Sequence, residues 1–298
     1  MSYLLAILIT LMLAYTTPSY EVAVERDVVY STVPGYWASA PEEGRGNRSR
    51  LLFHRMVLKP LDLTMDIYTP EGDGTGERPL LLMMHGGSFL FGHKEEAGQA
   101  EWCRYFASLG YVAVSINYRL GFPPRKEELL LAEERAREDA EAALEYVLGQ
   151  KRLRVNPDKV FLAGTSAGAI TALSLAYQPG RKAYRVRAIA NLWGAVRDLS
   201  ILENARIPIL SFQSVADPDV PYDEGYPMSE TGFLSRVLSD KMYGTHAIHE
   251  KAVSLGIRAE HHPCPEPGHR LHLDKQRQFT SRFYEIRDAM AEFFAGEL

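Results

Sequence analysis

The run Val160-Phe161-Leu162-Ala163-Gly164-Thr165-Ser166-Ala167-Gly168 constrains this chain more than any other stretch. An apolar segment with strand character leads into Gly-x-Ser-x-Gly, and a helix-forming segment, Ala169 to Ala176, follows at once. A strand that turns straight into a helix brings backbones too close for bulky neighbours, so glycines flank the serine. Such a turn lifts the Ser166 oxygen above the sheet edge. It also aims the first N–H groups of the helix at the same space. Gly-x-Ser-x-Gly alone arises by chance in many chains. Between a strand and a helix it predicts a nucleophile, provided a base and an acid stand elsewhere. The plainer alternative is a small-residue turn around a buried serine.

The flanking pattern repeats that unit. Leu80 to Met84 is a continuous apolar run of strand length, as expected of a strand covered on both faces. Helical segments at Ala97 to Leu109 and Glu127 to Leu148 alternate with strands at Tyr111 to Asn117 and Lys159 to Ala163, with Asn156-Pro157-Asp158 as the turn before the latter. Strands at Val186 to Leu192, Ile207 to Val215 and Arg258 to Pro263 follow, with helices at Thr245 to Leu255 and Lys275 to Phe294. The alternation predicts an α/β fold with a mostly parallel central sheet flanked by helices. Leu51 to Leu58 and Leu61 to Tyr68 read as an antiparallel pair at the sheet edge. The connection from 216 to 243 is rich in Pro, Asp and Tyr, and is expected to form a lid rather than a linker.

With 298 residues, a net charge of -5 and a pI near 6.0, the chain gives no sign of a nucleic-acid partner. Leu4 to Ala14 is an apolar run too short to span a bilayer, which takes roughly 18 residues or more. Its length suits a signal peptide occupying residues 1–19, followed by a single domain at 20–298 and export as a secreted or periplasmic protein. No Lys or Arg precedes the run. Cys103 and Cys264 are the only cysteines; they match no metal site, and either one disulfide or two separate thiols fits them.

A serine hydroxyl needs a base, and the base needs an orienting acid. On an open α/β sheet these groups belong on loops at the carboxyl ends of strands. Among nine histidines, His269 follows the last short strand in Pro-Glu-Pro-Gly-His, where Gly268 lets the backbone turn. His272 is its rival. His261 and His262 fall in that strand, and His246 and His249 on the preceding helix. For the acid, Asp217 comes immediately past a strand and before Pro218, with Asp219, Asp223 and Asp198 as alternatives. Negative charge developing on a substrate oxygen needs backbone N–H donors. His85-Gly86-Gly87-Ser88 after a buried strand can bring its main chain close, with Gly87 and Ser88 preferred over Gly86, and Ala167 as the second donor. Phe89, Phe122, Tyr222, Tyr226 and Tyr243 are candidate pocket aromatics, with ordinary packing as the alternative.

Together, His85-Gly86-Gly87-Ser88-Phe89, Ser115-Ile116-Asn117-Tyr118-Arg119, Gly164-Thr165-Ser166-Ala167-Gly168, Ala216-Asp217-Pro218-Asp219-Val220-Pro221 and Gly268-His269 resemble the α/β-hydrolase fold family. The likeness is to its esterases and lipases with a His-Gly-Gly-Gly-type oxyanion loop, and it spans about residues 80 to 270. The order Ser, Asp, His is that family's order. The resemblance implies Ser166 as nucleophile, Asp217 as orienting acid and His269 as general base, acting without metal or organic cofactor on a small-molecule or carbohydrate ester. Ser88 departs from the pattern by replacing the third glycine. A serine peptidase or amidase on the same fold, and a non-catalytic binding domain, are the competing readings.

Overall fold

The computed structural model describes residues 15–34, 60–72, 76–180 and 182–298. The expected leader core, and the segment 51–58, lie outside them. In chain order the elements are β1 (Val22–Pro34), β2 (Pro60–Pro70), β3 (Arg78–Met84), α1 (Ala97–Ser108), β4 (Val112–Ile116) and α2 (Lys126–Gly149). β5 (Val155–Thr165), α3 (Ala167–Tyr177), β6 (Val186–Leu192) and β7 (Ile209–Ser214) follow. Then come β8 (Glu224–Gly225), α4 (Phe233–Leu238), β9 (Met242–Tyr243), α5 (Thr245–Ser254), β10 (Ala259–Cys264) and α6 (Ser281–Ala295).

An eight-stranded sheet runs in the order β1-β2-β4-β3-β5-β6-β7-β10. β1 and β2 are antiparallel to their neighbours, and the other pairings are parallel. Both sides of β2 are taken, one by β1 and one by β4. This is the α/β-hydrolase architecture.

Side chains alternate across a strand, and here both faces are apolar. Leu80, Leu82 and Met84 join one core layer with Ala136, Ala140 and Leu144 of α2 and Leu173 of α3. Leu81 and Met83 join the other with Trp102 and Phe106 of α1 and Phe293 and Phe294 of α6. The alanine stripe of α2 lets that helix lie close on the sheet.

Two local expectations shift. Asn156-Pro157-Asp158 falls inside β5, whose pairing with β3 is irregular there, and the Pro157 carbonyl accepts a hydrogen bond from Arg185 N at 2.7 Å. The last helix starts at Ser281 rather than near Lys275. Asp274 Oδ1 takes the N–H groups of Gln276 at 2.9 Å and Gln278 at 2.8 Å, which holds a turn where a helix would otherwise begin.

Residues 216–243 form a cover built around the β8–β9 ribbon. The ribbon is fastened to the loop after β6: Val196 N donates to Tyr243 O at 2.9 Å, and Tyr243 N to Val196 O at 2.7 Å. Cys103 and Cys264 are buried free thiols, with no disulfide between them.

Candidate active site

Ser166 stands between β5 and α3 with φ 52° and ψ −118°, a strained backbone for a residue that carries a side chain. Its N–H donates to Leu192 O at 2.9 Å, which pins the turn to the end of β6. A Cβ on Gly168 would lie 2.1 Å from Met84 O, and one on Gly164 2.3 Å from the Gly168 carbonyl carbon. Only glycine fits at either position, as expected for a sharp strand-to-helix turn.

The structure brings Ser166, His269 and Asp217 into one hydrogen-bonded row. Ser166 Oγ lies 2.8 Å from His269 Nε2. His269 Nδ1 lies 2.8 Å and 2.9 Å from the two carboxylate oxygens of Asp217. The carboxylate only accepts, so Nδ1 carries the hydrogen and Nε2 is left to accept from the serine hydroxyl. The Asp217 side chain has no exposure, and that of His269 is 9% exposed. Asp217 Oδ1 also takes the N–H groups of Asp219 at 2.9 Å and Val220 at 3.1 Å. This turn follows from Asp-Pro at the end of β7.

The rival residues are occupied elsewhere. His272 is buried between the rings of Trp102 (5.4 Å) and Trp193 (5.1 Å), and burial pushes its pKa down to about 3. His262 stacks on Phe212 at 4.3 Å. His261 lies 3.1 Å from Thr245 Oγ1. His246 and His249 lie on α5, as expected, with His246 facing Asp223 at 3.6 Å. Asp198 accepts from Ser200 N at 2.8 Å on the surface.

The His85-Gly86-Gly87-Ser88 loop runs directly against the serine turn: a Cβ on Gly86 would lie 3.3 Å from Ser166 Cβ. Ser88 and Phe89 both take left-handed backbone angles, with φ 54° and 59°. Ser88 and Ala167 line the cavity that opens at Ser166. Gly87 O accepts from Leu90 N at 2.9 Å and Phe91 N at 3.1 Å, so this loop is a tight turn.

The loop is braced at both ends. At the near end His85 donates from Nδ1 to Gly86 O at 2.7 Å, and its ring stacks on Tyr118 at 4.2 Å. Tyr118 in turn donates to His85 O at 2.6 Å. Burial lowers the His85 pKa to about 4, so the ring is neutral near pH 7. At the far end Lys94 is buried against Asp66 at 2.6 Å, and its N–H donates to Asn117 Oδ1 at 2.8 Å. Burial alone would lower the Lys94 pKa, but hydrogen bonds to Asp27 and Asp66 outweigh it and the net direction is up.

The cavity beside Ser166 has a volume of about 320 Å³. Phe89, Phe91, Phe122, Leu129, Ile170 and Met242 form its apolar wall. Of the candidate aromatics, Phe89 and Phe122 line it. Tyr222 instead stacks on His246 at 5.3 Å, Tyr226 lies under the Arg236 guanidinium at 5.7 Å, and Tyr243 belongs to the ribbon. Arg197 and Glu133, also in the wall, form a two-pronged pair, at 2.8 Å and 2.5 Å. Burial raises the Glu133 pKa, and Arg197 opposes that. Sequence reading missed this pair, because the two lie 64 residues apart and each resembles an ordinary surface charge. It also missed Gln213, a polar residue at the end of an apolar strand, which was the available signal.

The fold is that of the α/β hydrolases, and it brings a serine, a histidine and an aspartate into contact at the carboxyl ends of the strands. The BD-FAE family model matches residues 65–191, the stretch from β2 to β6 that includes the loop and the serine turn. Phenmedipham hydrolase from Pseudarthrobacter oxydans is 34% identical over 130 residues, which are 43% of this chain and 25% of that protein. The chain spans a quarter or less of the length of the curated relatives it matches. Esterase 2 of Thermogutta terrifontis, phosphorylated by paraoxon, has a TM-score of 0.62 at 18% identity, covering 93% of this chain and 94% of that one. Esterase B from Lactobacillus rhamnosis, in a phosphonate-inhibited structure, has a TM-score of 0.56 at 16% identity, covering 99% and 92%. Among the described residues no helix is long and apolar enough to cross a membrane, and no cluster of His, Cys, Asp or Glu is arranged to hold a metal ion.

Proposed function

We propose that this protein hydrolyses carboxylic esters through an acyl-enzyme on Ser166. The observation that carries the reading is the row Ser166–His269–Asp217 at the mouth of an apolar cavity. His269 Nε2 takes the Ser166 proton as Oγ attacks the ester carbonyl. The N–H of Ala167 and those of Gly87 and Ser88 receive the oxyanion. Protonated His269, stabilised by buried Asp217, returns its proton to the departing alcohol. Water then repeats the sequence on the acyl-enzyme and releases the acid. No step calls for a metal or organic cofactor.

The acyl group enters the cavity lined by Phe89, Phe122 and Ile170, which favours apolar acids. The BD-FAE match supports a carbohydrate ester as the natural substrate. Esterase names among the structural neighbours agree with the ester reading over the peptidase one. Export through residues 1–19 belongs to the same proposal. A cut before Tyr20 would remove the Ser19 N–H that donates to Ser108 O at 2.8 Å and turn the Tyr20 nitrogen, 3.1 Å from the same oxygen, into an amino terminus. Sequencing the mature amino terminus tests that cut.

The activity test is hydrolysis of a p-nitrophenyl ester series, from acetate to long acyl chains, by this protein and by Ser166→Ala. Turnover by the parent and none by the variant supports the reading. A folded parent that cleaves no ester overturns it, and peptide substrates come next.

A further inference from the structure

The carboxylate of Asp217 has one further side-chain neighbour, Gln213. Gln213 lies near the end of β7 with its side chain completely buried. Its Nε2 lies 2.9 Å from Val220 O, 3.3 Å from Pro221 O and 3.3 Å from Asp217 Oδ2. Its Oε1 accepts from Thr245 N at 3.2 Å and Thr245 Oγ1 at 2.8 Å. The amide has only one workable orientation. Carbonyl oxygens accept and never donate, so the NH2 must face Val220 and Pro221. A backbone N–H only donates, so the oxygen must face Thr245.

That orientation has consequences in both directions. The Thr245 hydroxyl spends its hydrogen on Gln213, so it accepts from His261 Nε2 at 3.1 Å. Toward the site, an amide hydrogen is aimed at Asp217 Oδ2, the oxygen nearest His269 Nδ1. Oδ1 is already held by the Asp219 and Val220 N–H groups. The Gln213 amide also grips the 220–221 backbone that closes the Asp217 turn, and it ties this turn to the start of α5. One buried amide therefore joins the strand, the acid-bearing turn and the first residue of the helix behind it.

We propose that Gln213 is a positioning residue: its side-chain amide sets the plane of the Asp217 carboxylate, so that both oxygens face His269 Nδ1 and hold that ring in the Nδ1–H tautomer. Gln213 does not touch substrate. It acts through Asp217, and so rests on the reading of Ser166, His269 and Asp217 given above.

The test compares Gln213→Leu, Gln213→Glu and Thr245→Val with the parent. Gln213→Glu keeps the shape and the acceptor facing Thr245, but sets a second carboxylate against Asp217 Oδ2. Thr245→Val removes one donor to Oε1 and leaves the backbone N–H donor in place. Expected are losses in kcat of roughly 10- to 100-fold for Gln213→Leu, larger for Gln213→Glu and under about 3-fold for Thr245→Val, each with KM nearly constant. The second readout needs no turnover: the far-downfield proton signal of the His269 Nδ1–H hydrogen bond should be present in the parent and weakened or shifted in Gln213→Leu and Gln213→Glu. Circular dichroism selects the variants that fold. If Gln213→Leu does not fold, Gln213→Glu carries the comparison, and the parent with Thr245→Val gives the baseline.

Folded Gln213 variants with unchanged kcat and an unchanged Nδ1 proton would overturn the inference while leaving the esterase reading intact. A parent inactive on every ester would overturn the esterase reading, and the proton signal would still decide whether Gln213 orients the His269–Asp217 pair.

Discussion

His269 Nε2 stands 2.8 Å from Ser166 Oγ although 103 residues separate them. Three strands of the sheet, β6, β7 and β10, and the lid lie between them in sequence, so the contact exists only if β5, β7 and β10 end at one rim of the sheet. The parallel register of β5 with β6, β6 with β7 and β7 with β10 supplies that.

Replacement of Asp217 by Asn should separate tautomer control from binding. The amide presents an N–H to the histidine as readily as an oxygen, so the ring can take the wrong tautomer. We expect kcat to fall by about 10⁴-fold with KM little changed, as in other enzymes of this kind. Steady-state kinetics on the best p-nitrophenyl ester measure it; a loss below tenfold would argue against Asp217 as the orienting acid.

Ile170 lies four residues after the serine on α3 and lines the cavity. Ile170→Trp should fill part of the 320 Å³. Acetate turnover should stay within about threefold, while kcat/KM for longer acyl chains falls by roughly 10- to 200-fold. A uniform loss across the series would place the acyl chain elsewhere.

Stability should fall in acid through buried histidines. In the folded protein burial holds the His272 pKa down to about 3 and that of His85 to about 4. An unfolded histidine titrates near about 6.5, so between those values the unfolded chain binds more protons. Their neutral state is therefore fully compatible with folding above about pH 6.5, and stability is lost as pH drops toward 4 and below. Each unit of difference is worth about 1.4 kcal/mol. Urea midpoints measured from pH 7 to 4 should decline, and His272→Phe, which cannot be protonated, should show a shallower decline.

Gly168→Ala should cost stability before it costs chemistry. The new methyl would sit 2.1 Å from Met84 O and 2.6 Å from His85 O, both backbone atoms of β3 and the loop after it. We expect a loss of at least ~2 kcal/mol in urea unfolding, or failure to fold. A variant as stable as the parent would mean that the serine turn and β3 are farther apart than described.

Much of this was legible in the sequence for a physical reason. Leu80 to Met84 and Val160 to Ala163 are apolar without alternation, which only a strand covered on both faces tolerates, and Gly164 and Gly168 bracket a turn that no other residue fits. The edge was less legible. Leu51 to Leu58 and Val28 to Val33 are equally strand-like, and local pattern carries no information on which of them β2 pairs with; the structure pairs β2 with β1. The start of the last helix was missed because Asp274 competes for the N–H groups of Gln276 and Gln278. The pocket was the least legible part. Phe89 and Phe122 face it while Tyr222 and Tyr226 turn to His246 and Arg236, a choice made by tertiary packing alone.

In the β8–β9 ribbon, β9 is bonded to Val196 through Tyr243 and β8 is held by pairing with β9, so the stretch from 226 to 241 leaves and returns at one place, like a strap between two posts. The posts are a two-stranded sheet of their own, fastened to the loop after β6, whereas the strap supplies Pro227, Met228, Ser235 and Leu238 to the pocket wall. Met228 N donates to Asp219 O at 2.7 Å, so the near end of the strap is tied to the turn that carries Asp217, and only the part beyond Met228 can be exchanged for one of another length or polarity without touching that turn. From Ser229 to Lys241 the wall of the pocket is open to change while Ser166, His269 and Asp217 stay in place.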